Sequence, residues 1–237
     1  MKLFRKIILN CRKIIKIHLK SIFISIGENC LADNILSRYK LKSFSTPYSY
    51  GRTNIECIIL HEQSHFDYLL DKRYLIKKNE KILNIKYSCF NNTYNSLSSD
   101  GFELTHHNVL EDNRARKTIS RRYLRLLKLK HKDITMLYHH RLCDKTNEKM
   151  MVNDLKKLAE IYENRGNRVR IYVITQTIIK SPLKRGVVVE NFNNIKIYRI
   201  ASFQEWRGDD PSIFWAMCDD DLIQQVINKL KQKNYSK

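Results

Sequence analysis

The segment Phe23-Ile24-Ser25-Ile26-Gly27-Glu28-Asn29-Cys30 has the residue types and spacing of a nucleophile turn. A β-prone run ends at Gly27. Cys30 follows three residues later, where Leu31, Ile35, Leu36 and Tyr39 fall at helical spacing. This predicts a cysteine in the first turn of a helix, where unpaired N–H groups and the positive end of the helix dipole favour an anion. A thiol so placed is expected to be more acidic than usual, and its thiolate is a nucleophile. Gly27 and Asn29 are candidate substrate contacts, and the N–H groups around Asn29–Leu31 would stabilise an oxyanion. The alternative is a buried structural cysteine.

A thiolate needs a base. His106-His107-Asn108 follows the strand-like Phe102–Thr105, so His107 or His106 is the candidate general base. Asn108 or Asp209 would orient the imidazole. The alternative is a histidine pair in a loop with no role. His139-His140 also follows a strand-like run and leads to Arg141, and solvation explains that pair more simply.

Two other groups compete. His61-Glu62-Gln63-Ser64-His65 is a literal HExxH. On a helix, His61 and His65 would share a face and could bind zinc while Glu62 activates water. No third ligand has a supporting pattern, and Asp67 fits the zinc-peptidase helix poorly. The second group is the run at 114–129, with Arg114, Arg116, Lys117, Arg121, Arg122, Arg125 and Lys128. Arg121, Arg122 and Arg125, with Arg141, are candidates to clamp a phosphate or carboxylate. The alternative is a solvated basic face. Trp206 is a further substrate contact by position, with Asp209 and Asp210 in the turn after it, although core packing and turn capping are the commoner roles.

These residues need a scaffold. Strands are expected at 22–26, 134–138, 169–175, 187–189 and 195–200, and β-like structure over 81–106. Helices are expected at 28–39, 54–70, 114–129, 152–164 and 219–231. That order predicts an α/β fold, a largely parallel sheet with helices on both faces, as one domain over 21–237. Ligands of such sheets collect at the carboxyl ends of the strands. Gly27–Cys30, Thr105–Asn108, His139–Arg141 and Thr175–Thr177 all follow or close predicted strands and are expected to converge there.

Lys and Arg total 44 against 24 Asp and Glu, a net charge of +20, so the expected partner is anionic. Nucleic acid is disfavoured, because no recognised module is present and no aromatics interleave with the arginines. Residues 2–20 place Phe4, Ile7, Ile8, Cys11, Ile14 and Ile15 on one helical face and Lys6, Arg12, Lys13, Lys16 and Lys20 on the other. This predicts a basic amphipathic helix over 1–20, suited to an anionic membrane surface or to packing on the domain. It lacks the apolar run of a membrane span or signal peptide. Cys11, Cys30, Cys57, Cys89, Cys143 and Cys218 have no CxxC spacing and read as reduced thiols. The expected location is the cytoplasm, peripheral at the inner membrane, and no cofactor is called for.

Taken in order, these motifs resemble a bacterial family of papain-like cysteine peptidases. Ser25-Ile26-Gly27-Glu28-Asn29-Cys30 resembles its Ser-Leu-Gly-x-x-Cys opening. Pro47-Tyr48-Ser49-Tyr50 stands where the family has Pro-Phe-Asp-Trp, and His107-Asn108 (or His106-His107) where it has His-Asp. Ser120-Arg121-Arg122-Tyr123-Leu124-Arg125-Leu126 is similar to its Tyr-x-Arg-Arg-x-x-Arg-Phe helix. A strand ending at Arg141 and a segment from Trp206 to Trp215 complete the likeness, which spans residues 21–230. Tyr48, Ser49, Tyr50 and Asn108 depart from the family pattern. The resemblance implies thiol chemistry at Cys30. Members often accompany surface-polysaccharide genes, which implies acyl or glycan-ester transfer as readily as proteolysis. The leading expectation is a cysteine-dependent hydrolase or transferase with an anionic substrate. The alternatives are a glycan-binding or glycan-transferring protein that does not use the thiol and, after it, an HExxH zinc hydrolase.

Overall fold

The computed structural model describes residues 21–87, 101–144 and 146–232. The amphipathic helix expected over 1–20 and most of the β-like stretch around Asn91-Asn92 lie outside the described residues.

Apolar runs too continuous for a half-exposed strand build the central sheet. Its strands are β1 (Ile22–Gly27), β5 (Asp133–His140), β6 (Arg168–Ile178), β7 (Gly186–Phe192) and β8 (Ile195–Ser202). Their order is β1-β5-β6-β8-β7. All neighbours are parallel except the β7–β8 hairpin at the edge.

Register sorts the side chains into two layers. Ile24, Met136, Ile171 and Ile195 are aligned across four strands. They share a core with α2 (Ile55–Gln63), α3 (Asn113–Leu127) and α4 (Glu148–Glu163). Leu137 and Tyr172 point the other way, into a second core with α1 (Leu31–Arg38) and α5 (Asp220–Gln232). Helices thus cover both faces, as the element order predicts.

The long excursion from β1 to β5 carries a second, antiparallel sheet of β2 (Leu75–Lys78), β3 (Lys81–Asn84) and β4 (Phe102–Leu104). Its Ile82, Phe102 and Leu104 join the core of α2 and α3. Arg52 pairs with Glu103 through two backbone hydrogen bonds of 2.9 Å, which fixes Arg52 beside the end of β4.

The helix expected over 54–70 is shorter. α2 ends at Gln63, and His65 and Phe66 take left-handed φ values of 51° and 64°. Phe66 and Leu69 are nonetheless buried, so the apolar spacing that suggested helix reflects burial in turns.

Candidate functional site

The chain leaves β1 for α1 on one face of the sheet and leaves β5 for α4 on the other. Divergence of two neighbouring connections opens a crevice at the carboxyl ends of their strands. A cleft of about 460 Å³ lies there. Asn29 and Cys30 reach it from β1, and Arg141 from β5. Arg52, Thr105 and His106 reach it from the β4 side. Trp206, Arg207, Gly208, Asp209 and Trp215 close it from the segment after β8.

Cys30 is the residue that caps the start of α1. Burial is the main influence on its thiol, and the Asp33 carboxylate in the first turn acts in the same direction. Together they push it up to about 11, against a smaller opposing pull from Arg52. This reverses the expected acidic thiol, because desolvation and Asp33 outweigh the helix terminus. Asp33 is itself held by the Ser25 hydroxyl at 2.8 Å and Lys42 at 2.6 Å. The Leu31 N–H donates to Asn29 Oδ1 at 3.0 Å, so it is already engaged and does not serve as the expected oxyanion donor.

Of the adjacent histidines, the structure brings His106 to Cys30's cleft. His107 Nε2 lies 3.0 Å from Arg122 Nη1. A guanidinium only donates, so that nitrogen accepts and is occupied. Burial and the Arg122 charge both lower the His107 pKa. Asn108 does not orient either imidazole. It donates to the Glu111 carboxylate at 2.6 Å and accepts the Glu111 N–H at 3.2 Å, a turn cap. Asp209 does share the cleft with His106.

The arginines also divide. Arg141 lines the cleft, as expected. Arg121 and Arg125 lie on the exposed face of α3, and Arg122 turns inward over the Tyr50 ring at 5.1 Å. None of these three lines the cleft. Arg52 and Arg207 take their place there. Nothing in their sequence context marked them, since Arg52 follows an unremarkable Tyr-Gly turn and Arg207 was overshadowed by Trp206. Gly27 is a packing residue rather than a substrate contact. It has φ 109°, and a Cβ there would lie 2.0 Å from the Tyr138 ring. Gly208 is similar, since a Cβ would lie 2.2 Å from the Trp215 ring that forms the cleft wall. Trp206 is anchored by a 2.8 Å bond from its indole N–H to Asp219. Thr175 and Thr177 continue β6 and do not reach the cleft.

Beneath the cleft lies a buried polar layer that includes His139 and His140, the pair for which solvation was the simpler expectation. Glu28 is fully buried, and its Oε2 accepts the Arg141 N–H at 2.7 Å and lies 3.4 Å from His140 Nδ1. Burial raises its pKa well above the carboxylate range. His139 Nδ1 lies 3.3 Å from Asn29 Oδ1, and its ring stands 5.9 Å from Trp206. Burial lowers His139 to about 3, so it is neutral and donates to Asn29. This layer ties the backbone of Arg141 and the side chain of Asn29 to the sheet.

The HExxH residues do not form a zinc site. His61 and His65 cannot share a helical face, because α2 ends between them. His61 is buried against the Tyr48, Phe66 and Phe102 rings. Glu62 accepts from Tyr162 at 2.6 Å and Arg165 at 2.9 Å. Among the described residues no group of three or more His, Cys, Asp or Glu is placed to hold a metal ion, and no helix is long and apolar enough to cross a membrane. No family profile matches the chain, and neither does any curated protein or solved structure.

Proposed function

We propose that this protein is a cysteine-dependent hydrolase or acyl- or glycan-modifying transferase acting on an anionic substrate in the β1–β5 cleft. One observation carries the reading: a single cleft holds Cys30, His106 and Asp209 together with three arginines and two tryptophans. Arg52, Arg141 and Arg207 line it with Glu103 and Glu205 as their carboxylate partners, three cations to two carboxylates, and are the groups that would engage a substrate carboxylate or phosphate. The tryptophans supply flat apolar walls. The Ser-x-Gly-x-x-Cys opening and its resemblance to papain-like cysteine peptidases support the same nucleophile. In this reading His106 takes the Sγ proton as sulfur bonds to the acyl carbon. It returns the proton to the departing oxygen or nitrogen as that bond breaks. A thiol held neutral at rest suits such coupled transfer. The substrate class is an acidic or phosphorylated glycan derivative. The proposed location is the cytoplasmic face of the inner membrane, supported by the amphipathic pattern of residues 2–20.

A second reading is favoured by the Cys30 thiol at about 11: an anionic glycan is bound or transferred without covalent use of sulfur. The two separate on one experiment with p-nitrophenyl succinate, an anionic activated ester. The thiol reading expects a burst of p-nitrophenolate and a succinyl adduct on Cys30 by mass spectrometry. It also expects a loss of at least about 100-fold in turnover in His106→Ala, within the range for general-base removal, and no adduct in Cys30→Ala. Equal turnover by wild type and Cys30→Ala would sink the thiol reading and leave the second.

A further inference from the structure

Most arginines in this fold face carboxylates. Arg38 pairs with Asp220, Arg165 with Glu62, Arg168 with Asp133, and Arg199 with Glu148 and Glu190. α3 departs from that habit, and its cations beyond Arg114 in the first turn form two sets, with Lys128 just past the helix end. Arg116 and Arg122 turn inward. Arg116 donates to the Val109 and Leu70 carbonyls at 3.1 and 2.7 Å, and Arg122 reaches His107. Lys117, Arg121, Arg125 and Lys128 are exposed, and none of them pairs with a carboxylate among the described residues.

These four positions follow one helical face over three turns, a stripe about 17 Å long at 1.5 Å per residue. Leu124 lies in the middle of the stripe and is 46% exposed. Arg125 is seated over the Phe44 ring at 4.9 Å. A shallow groove runs between them. Clustered like charges repel, and an anionic partner relieves that repulsion.

We infer that this face of α3 docks on an anionic lipid surface. Unpaired surface cations are attracted to an anionic leaflet, and the exposed Leu124 adds an apolar contact among them. No aromatic side chain is exposed on the stripe to stack on a nucleic-acid base. The position in the fold agrees. Exposed Lys130 and Lys132 continue the positive rim from α3 to the start of β5. Ser21 Oγ lies 2.9 Å from Thr135 Oγ1 at that same end of the sheet, and the sequence that precedes Ser21 is rich in Lys and Arg. The cleft opens at the carboxyl end of β1 and β5, and none of the four stripe cations lines it. The inference rests on the membrane-surface part of the proposed function and is independent of Cys30.

The test is co-sedimentation of the full chain with phosphatidylcholine vesicles, with and without phosphatidylglycerol. The variant is Lys117→Gln/Arg121→Gln, both exposed, with a thermal midpoint to confirm folding. At about fivefold per cation near a charged surface, the double variant is expected to lose about 25-fold in partitioning to anionic vesicles. Neutral vesicles should bind neither protein. If the variant binds anionic vesicles as the wild type does, the α3 assignment is overturned while the membrane-surface reading stands. If the wild type does not bind anionic vesicles, both are overturned. Binding of an RNA oligonucleotide that depends on Lys117 and Arg121, without vesicle binding, would replace the lipid surface with nucleic acid.

Discussion

Replacing Arg165 with alanine is expected to destabilise the fold by about 3–5 kcal/mol at neutral pH, the range for removing one partner of a buried ion pair. Glu62 is buried in α2, and its two carboxylate oxygens are taken by Tyr162 and Arg165 at 2.6 and 2.9 Å. Burial already raises the Glu62 pKa despite those partners. Without the guanidinium the carboxyl can relieve itself only by taking up a proton. The loss is therefore expected to shrink as pH falls toward the ordinary carboxylate range. Chemical denaturation of Arg165→Ala at two pH values checks both magnitude and direction. The double variant Glu62→Gln/Arg165→Met should recover most of the loss, because no charge is then left buried. A single variant within about 0.5 kcal/mol of wild type, as at an ordinary surface position, would contradict this account of Glu62.

Acid is expected to unfold the protein through two buried histidines. His61 and His139 are both lowered from 6.5 to about 3 by burial. A folded-state value below the unfolded one means stability is present above pH 6.5 and is lost as pH falls toward 3. Each site contributes a slope of up to about 1.4 kcal/mol per pH unit. Glu28 and Glu62 act in the opposite direction, because burial raises both above 4.5. Their contribution decreases as pH rises through the window above 4.5. Below 4.5 these carboxyls are largely protonated in both states, and the histidine slopes are no longer opposed by them. Stability is therefore expected to fall most steeply between pH 4.5 and 3. His61→Leu removes one titration and keeps an apolar side chain packed against Tyr48 and Phe66. It should reduce the slope in that window by up to about 1.4 kcal/mol per pH unit, read from denaturation at stepped pH. An unchanged slope would show that His61 is not held neutral.

Those two histidines also mark where sequence reading reaches its limit. The central strands were legible because full burial writes continuous apolar runs. β1 and β5–β8 lie close to their expected places, extended by a few residues where Asp133, Arg168 and Ser202 join the ladders. β2 was not legible, since only Leu75 of Leu75–Lys78 is buried and no alternation shows. The apolar spacing past Gln63 was misread because helices and buried turns both space apolar residues three or four apart. His61 then looked like a ligand, when aromatic rings occupy its surroundings.

The candidate site was legible in part. Cys30, Asn29, Arg141, Trp206 and Asp209 do share one cleft. The choice between His106 and His107 was not legible, because both pack against Tyr50 and a one-residue frame decides which lines the cleft. The α3 arginines were assigned to the substrate by residue type alone, whereas two point to solvent and Arg122 supports His107. The direction of the Cys30 shift was missed because a helix start suggests stabilised charge, while burial and Asp33 are properties of the folded surroundings.

Competitive alkylation of the full chain tests the central claim, an anion-selecting cleft around Cys30. Cys30 and Cys218 are both pushed up to about 11, mainly by burial, so Cys218 serves as the internal reference. Each thiol has a carboxylate and an arginine near it, Asp33 and Arg52 at Cys30 and Asp219 and Arg185 at Cys218, and the cleft arginines make the difference. Cys218 Sγ lies 3.5 Å from the Asp219 carboxylate, whereas Cys30 shares its cleft with Arg52, Arg141 and Arg207. Labelling with iodoacetate and with neutral iodoacetamide, read peptide by peptide, gives a rate ratio for each thiol. The account predicts a ratio several-fold higher at Cys30 at low ionic strength, falling toward that of Cys218 in high salt and in Arg52→Gln/Arg141→Gln. A Cys30 ratio equal to or below that of Cys218 would contradict it.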